Sequence, residues 1–121
     1  MPRKFLILIL EVQITQAADT VTAIQAKLTL EVNDVFTKID ALKIAADATN
    51  AEKTRLESQG LTPEQIVADP GYIKILKEQA DAKANFDASL NNKNATDRDL
   101  LKAQAALSAL QKQLGDLMTQ R

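Results

Sequence analysis

The chain has no Cys, no His and no Trp, and only three Gly and three Pro among its 121 residues. Without Cys there is no disulfide, thiolate ligand or thiol nucleophile, and the same absence is compatible with any redox compartment. Without His the usual imidazole base and the commonest nitrogen ligand for zinc are missing, so no catalytic residue, metal or cofactor is expected. Phe5, Phe36, Tyr72 and Phe86 are the only rings, too few for platforms on which bases stack. A charge of one sign is lacking as well: fifteen basic residues face sixteen acidic ones, for a formal net charge of −1. The two signs are mixed along the chain, so no basic stripe invites nucleic acid.

Long hydrophobic runs are also scarce. Phe5 to Leu10 is apolar, but Glu11 ends the run, short of the roughly 7 to 15 residues of a signal core and of the roughly 20 that span a bilayer. The sequence therefore predicts neither a cleaved secretory signal nor a membrane partner. A virion or the cytoplasm are the settings compatible with that reading.

What is present is a 45% share of apolar residues supplied mostly by Leu, Ile, Val and Ala, in a length suited to one domain. Residues 17–58 contain no Gly or Pro and are rich in helix formers, which predicts one long helix with Asp19 or Thr20 near its start. Val21, Leu28, Val35, Leu42 and Leu56 recur at one heptad position, with Thr49 as a polar exception. Val32, Ile39 and Ala46 recur at a second position, and Ile24 and Phe36 widen the face. Gly60 then supplies a helix stop, and Thr62, Pro63 and Gln65 a capping-box start for a short helix over residues 63–68. Asp69 and Pro70 repeat the punctuation, and Gly71 is the weak point of the helix expected over residues 70–121.

That last helix carries two rows. Tyr72, Gln79, Phe86, Lys93, Leu100, Leu107 and Leu114 form one; Ile75, Ala82, Ser89, Thr96, Ala103, Leu110 and Leu117 form the other. The polar run over residues 91–97 is either a stretch of continuous helix or a loop, and the unbroken heptad phase favours continuity.

The opening residues, RKFLILILEVQI over 3–14, read differently. Leu6, Leu8, Leu10, Val12 and Ile14 alternate onto one face, and Phe5, Ile7 and Ile9 onto the other. The alternation predicts a β-strand arm over residues 1–15, although a helix is possible because Leu and Ile serve either state. No later segment offers a strand to pair with it. The arm is therefore expected to pair with another chain, because each backbone group buried without a partner costs about 1 to 3 kcal/mol.

The fold class that follows is mainly α: a long antiparallel, coiled-coil-like helical hairpin over residues 16–121 with an N-terminal strand acting in trans. Candidate catalytic sites fail for want of chemistry. Asp97 and Asp99 lack the Gly and distal Glu of a calcium loop, Ser58, Ser89 and Ser108 have no His to activate them, and no acidic residue occupies an apolar seam position. The expected contact residues are instead Phe5, Leu6, Ile7, Leu8, Ile9, Leu10, Val12 and Ile14 in the arm, with Ile24, Phe36, Leu76, Leu90 and Leu101 on the helices. They point to a non-enzymatic subunit of a multi-subunit assembly, with a phage virion or tail as an architectural analogy. Copies of itself and other assembly subunits are the expected partners, and an oligomer is the expected state. An adaptor or chaperone-like module that receives a client helix is the alternative.

Overall fold

The computed structural model describes residues 2–120 and contains two long helices joined by a short helical linker. Helix α1 is Arg3–Ser58, α2 is Pro63–Ala68 and α3 is Pro70–Thr119. Met1 and Arg121, the outer limits of the expected arm and last helix, lie outside the described residues.

The N-terminal strand is not formed. Residues Arg3 to Ile14 are the first turns of α1, and there is no strand among the described residues. The physical reason is the one that left the strand without a partner: a helix satisfies its backbone groups within one segment, and a lone strand cannot. Leu and Ile are tolerated in either state, so alternation over so short a run does not outweigh backbone pairing. The backbone N–H groups of Phe5 and Leu6 both donate to the Pro2 carbonyl, at 3.1 and 3.3 Å. Helical phase then puts Ile7 and Ile14 in the same heptad row as Val21 and Leu28. The apolar opening is a continuation of the seam.

The second row of α1 also differs from the expectation. Half-buried positions follow Leu10, Ala17, Ile24, Glu31, Lys38, Ala45 and Glu52, three residues after each member of the first row. Ile39 is 42% exposed, while Val32 and Ala46 are half-buried. Apolarity favoured Ile39, but the turn of the helix places Lys38 nearer the seam, where its aliphatic stem covers apolar surface and its ammonium stays wet. In α3, by contrast, every residue of the two expected rows is buried or half-buried, and the helix runs unbroken through residues 91–97.

Contacts divide the chain into two compact units, residues 31–92 and residues 1–30 with 93–121. The 31–92 unit contains the reversal. Leu61 N–H donates to the Leu56 carbonyl at 3.2 Å and Gly60 N–H to that of Glu57 at 2.9 Å, the paired bonds of a Schellman end. Gly60 sits at φ 86°, where a Cβ would be strained. Thr62 and Gln65 then form a capping box: Gln65 N–H donates to the Thr62 hydroxyl oxygen at 3.3 Å, and Thr62 N–H to the Gln65 side-chain carbonyl at 2.8 Å. Asp69 caps α3 by accepting from Tyr72 N–H at 3.0 Å. A Cβ on Gly71 would stand 3.2 Å from that same carboxylate, which explains a glycine inside the first turn. Leu56 and Ile66, 2% and 3% exposed, are the apolar centre of this end.

The other unit pairs the first half of α1 with the second half of α3. Val21 is buried there, and Thr96 is 2% exposed. Arg3 donates from its guanidinium to the Gln120 carbonyl, setting a cation at the carboxyl end of α3, where the helix dipole favours one.

Candidate functional site

Among the described residues the titratable groups are spread along the helices, and the features with a definite shape are seams, grooves and outer faces. Among the described residues there is no cluster of three or more His, Cys, Asp or Glu able to hold a metal ion. Ion pairs are local: Lys38 with Asp34 at 3.4 Å, Lys93 with Asp97 at 2.7 Å and Lys83 with Asp87 at 3.8 Å are each one helical turn apart. Such exposed pairs contribute about 0.3 to 0.5 kcal/mol. A polar contact across the 31–92 unit runs from the Ser89 hydroxyl to the Asp34 carboxylate, at 2.6 Å. That bond, aided by Lys38 and opposed by partial desolvation, holds the Asp34 carboxyl below its ordinary range. Glu52 is lowered in the same way by Arg55, which donates to it from Nε at 3.1 Å, and the Arg55 guanidinium is raised by the same bond. These are register contacts between or along helices.

Two shallow grooves accompany them. One in the 31–92 unit, about 280 Å³, is lined by Leu61, Ile66, Val67 and Tyr72 with the Lys53 and Glu57 pair at its edge. The other, about 390 Å³ in the 1–30 and 93–121 unit, runs along Leu6, Ile9, Leu10 and Leu117.

The expected contact residues separate into two groups. Ile7, Leu10, Ile14, Ile24 and Leu90 are half-buried, so their apolar faces already serve the seams. Phe5, Leu6, Leu8, Ile9, Val12, Phe36, Leu76 and Leu101 are exposed. Leu76, Leu101 and Phe36 are scattered, as single apolar residues on any surface are. The N-terminal group is different. Phe5, Leu8, Ile9 and Val12 stand at i, i+3, i+4 and i+7, which places all four on one stripe along the exposed side of α1, with Ile9 at the edge that borders the groove to Leu117.

That stripe is the start of a longer face. Continuing along the same side come Thr15, Gln16 and Asp19, then Thr22, Ala23 and Ala26, then Thr29 and Leu30, all exposed. Asp19 is the one charge among these residues, and the exposed Glu11 and Lys27 flank them. Its threonines are less polar than their composition implies, because the hydroxyls of Thr15, Thr22 and Thr29 donate to the carbonyls of Glu11, Ala18 and Gln25 at 3.0, 3.1 and 3.1 Å. A helix side facing only water normally carries charge. The length of this face was missed in the sequence, where its small residues looked like ordinary helix filler. The available signal was the lack of charge at its positions once helical phase was extended back to Phe5.

One window of α1 near the N-terminus is also long and apolar enough to cross a bilayer by length and composition, and 6% of it is buried. Signal sequences and core helices pass the same test, and Glu11 and Asp19 lie within the first seven turns. Compared with protein-family models, curated proteins and solved structures, the chain matches none of them.

Proposed function

We propose that this protein is a non-enzymatic structural subunit that docks to other protein surfaces of an assembly through the outer face of α1 over residues 5–30. The observation that carries the reading is that this face, on the solvent side of the first half of α1, presents Phe5, Leu8, Ile9, Val12 and Leu30 with Asp19 as the one charge among its residues. Covering such a stripe removes apolar area from water at about 25 cal/mol per Å², and contiguous exposed apolar patches mark interaction sites more often than isolated residues do. The seams between α1 and α3 supply a stiff support, so the face is presented with little ordering cost on binding.

The test is the mass of the full chain by light scattering across a concentration series, for the natural protein and for Ala26→Lys and Ala105→Lys. Ala26 is on this face of α1, and Ala105 is exposed on the outer side of α3. The expected result is a mass above 13.2 kDa that Ala26→Lys abolishes and Ala105→Lys leaves intact. A chain that stays at monomer mass in all three forms, with no loss of solubility as concentration rises, overturns the reading.

A further inference from the structure

We infer that the occupant of this face is a second copy of the same chain, laid antiparallel across it so that residue i meets residue 35−i of the other copy. The inference rests on the docking reading above and gives it a partner and a register.

Two heptad stripes run along the first half of α1. The inner one is taken up by α3. The outer one is Phe5, Ile9, Val12, Gln16, Asp19, Ala23, Ala26 and Leu30, with spacings that alternate between four and three residues, the repeat of a coiled-coil seam. It extends for about three and a half heptads, the length at which such a stripe sustains a coiled coil, and about 39 Å at 1.5 Å per residue.

Its composition is graded. The amino-terminal half is bulky, with Phe5, Ile9 and Val12; the carboxyl-terminal half is small, with Ala23 and Ala26, before Leu30 closes it. A two-fold interface uses the same patch on both partners and must therefore be complementary to itself. Antiparallel pairing about the midpoint of residues 5 and 30 does this: Ile9 meets Ala26 and Val12 meets Ala23, large against small, in both halves. Phe5 meets Leu30 at either end. At the centre Gln16 meets Asp19 of the other copy, so a side-chain amide donor faces a carboxylate acceptor.

Parallel pairing has none of these properties. It sets Phe5 on Phe5 and Val12 on Val12 while Ala23 and Ala26 face one another across a gap, and it brings the two Asp19 carboxylates into one layer. Sliding the antiparallel register by one heptad sets Phe5 against Thr37 in one direction and Ile9 against Asp19 in the other. Asp19 still lies within about three residues, or roughly 4.5 Å along the axis, of its own symmetry mate. The charge therefore weakens the pair without breaking it.

The natural chain contains no Cys, so a single introduced thiol forms a disulfide only between copies. Two full-length variants, Val12→Cys and Ala23→Cys, are prepared separately, mixed and oxidised, and the products are resolved by mass. The expected result is a mixed disulfide in large excess over either self-linked product. Self-pairs in the antiparallel register are about 16 Å apart along the axis, beyond the roughly 7 Å Cα separation that a disulfide spans. In parallel, Asp19→Asn is expected to tighten association several-fold by light scattering, and its helical circular dichroism checks that it is folded.

Self-linked Val12→Cys and Ala23→Cys products would mean parallel pairing. They overturn this inference and leave the docking reading standing. A dimer that links at neither position overturns the register while leaving self-association in place. A monomer that sediments with vesicles of phosphatidylcholine and phosphatidylglycerol overturns both this inference and the protein-docking reading, by assigning the face to lipid.

Discussion

The solvent sides of α1 and α3 in the 1–30 and 93–121 unit are built from the same helix-forming alphabet and oppose the same seam, yet they differ in charge. Over residues 94–119 the outer side of α3 carries Arg98, Lys102, Lys112 and Asp116, whereas the outer side of α1 over residues 5–30 carries Asp19, with Glu11 and Lys27 at its margins. Charge on α3 is what a surface in water needs. Its scarcity on α1 cannot come from helix propensity, since Lys, Glu and Arg are as good helix formers as the residues used. Under the docking proposal the two sides meet different surroundings. A hairpin's seam explains one face of each helix, and on α1 something further explains the other.

The comparison is sharpened most strongly by separating seam from face. Leu56→Ala, at a residue 2% exposed, should lower unfolding stability by about 2 to 5 kcal/mol in a denaturant titration. A matched pair on one helix makes the same point with a single chemistry. Val21→Ala, on the buried side, should cost about 2 kcal/mol, whereas Val12→Ala, on the outer side and measured in dilute solution, should stay within about 0.5 kcal/mol. Equal losses at positions 12 and 21 would erase the distinction between the two sides of α1.

Association should respond the other way round. Ala26→Lys should weaken it at least tenfold, about 1.4 kcal/mol, while Ala105→Lys leaves it unchanged. If the α3 substitution is the damaging one, the assignment of faces is reversed. Next in size is the reversal itself: Thr62→Ala removes the capping-box acceptor used by Gln65 and should cost about 1 kcal/mol in thermal unfolding, with association untouched.

The smallest effect is at Asp34. Its carboxyl is held below the ordinary value first by the Ser89 hydroxyl bond and then by Lys38. A depressed folded-state pKa contributes stability above the unfolded value that is lost as pH falls through the folded one. Ser89→Ala should therefore move the Asp34 titration upward, towards the ordinary carboxylate range, as read by NMR. No movement would mean that the Ser89 bond is not held in solution.

Much of the fold is legible along the chain because its signals are local. Gly60, Thr62, Pro63, Gln65 and Asp69 fix the ends of three helices through backbone conformation and caps that reach no more than a few residues. The two rows of α3 are legible for a related reason, since a strict heptad spans the helix without a Gly or Pro between Tyr72 and Ala109. The polar members Lys93 and Thr96 fall in phase with them, and Thr96 is buried. The start of α1 was not legible, because six consecutive Leu, Ile and Phe residues satisfy period 2 and period 3.6 alike.

The sequence by itself determined the helical alphabet, the reversal between Ser58 and Pro70 and the seam rows of α3. Each follows from propensity, capping geometry and a repeat that acts over one or two turns. Only the tertiary structure decided that residues 3–14 are helix, that Lys38 lies nearer the seam than Ile39, and that Phe5, Leu8, Ile9 and Val12 are turned away from α3. Ile9 stands at the edge of that outer side, where it borders the groove to Leu117. Those outcomes depend on where a second helix lies against the first. Burial is a relation between segments far apart in the chain, and backbone pairing for the opening residues had to be found within α1 itself.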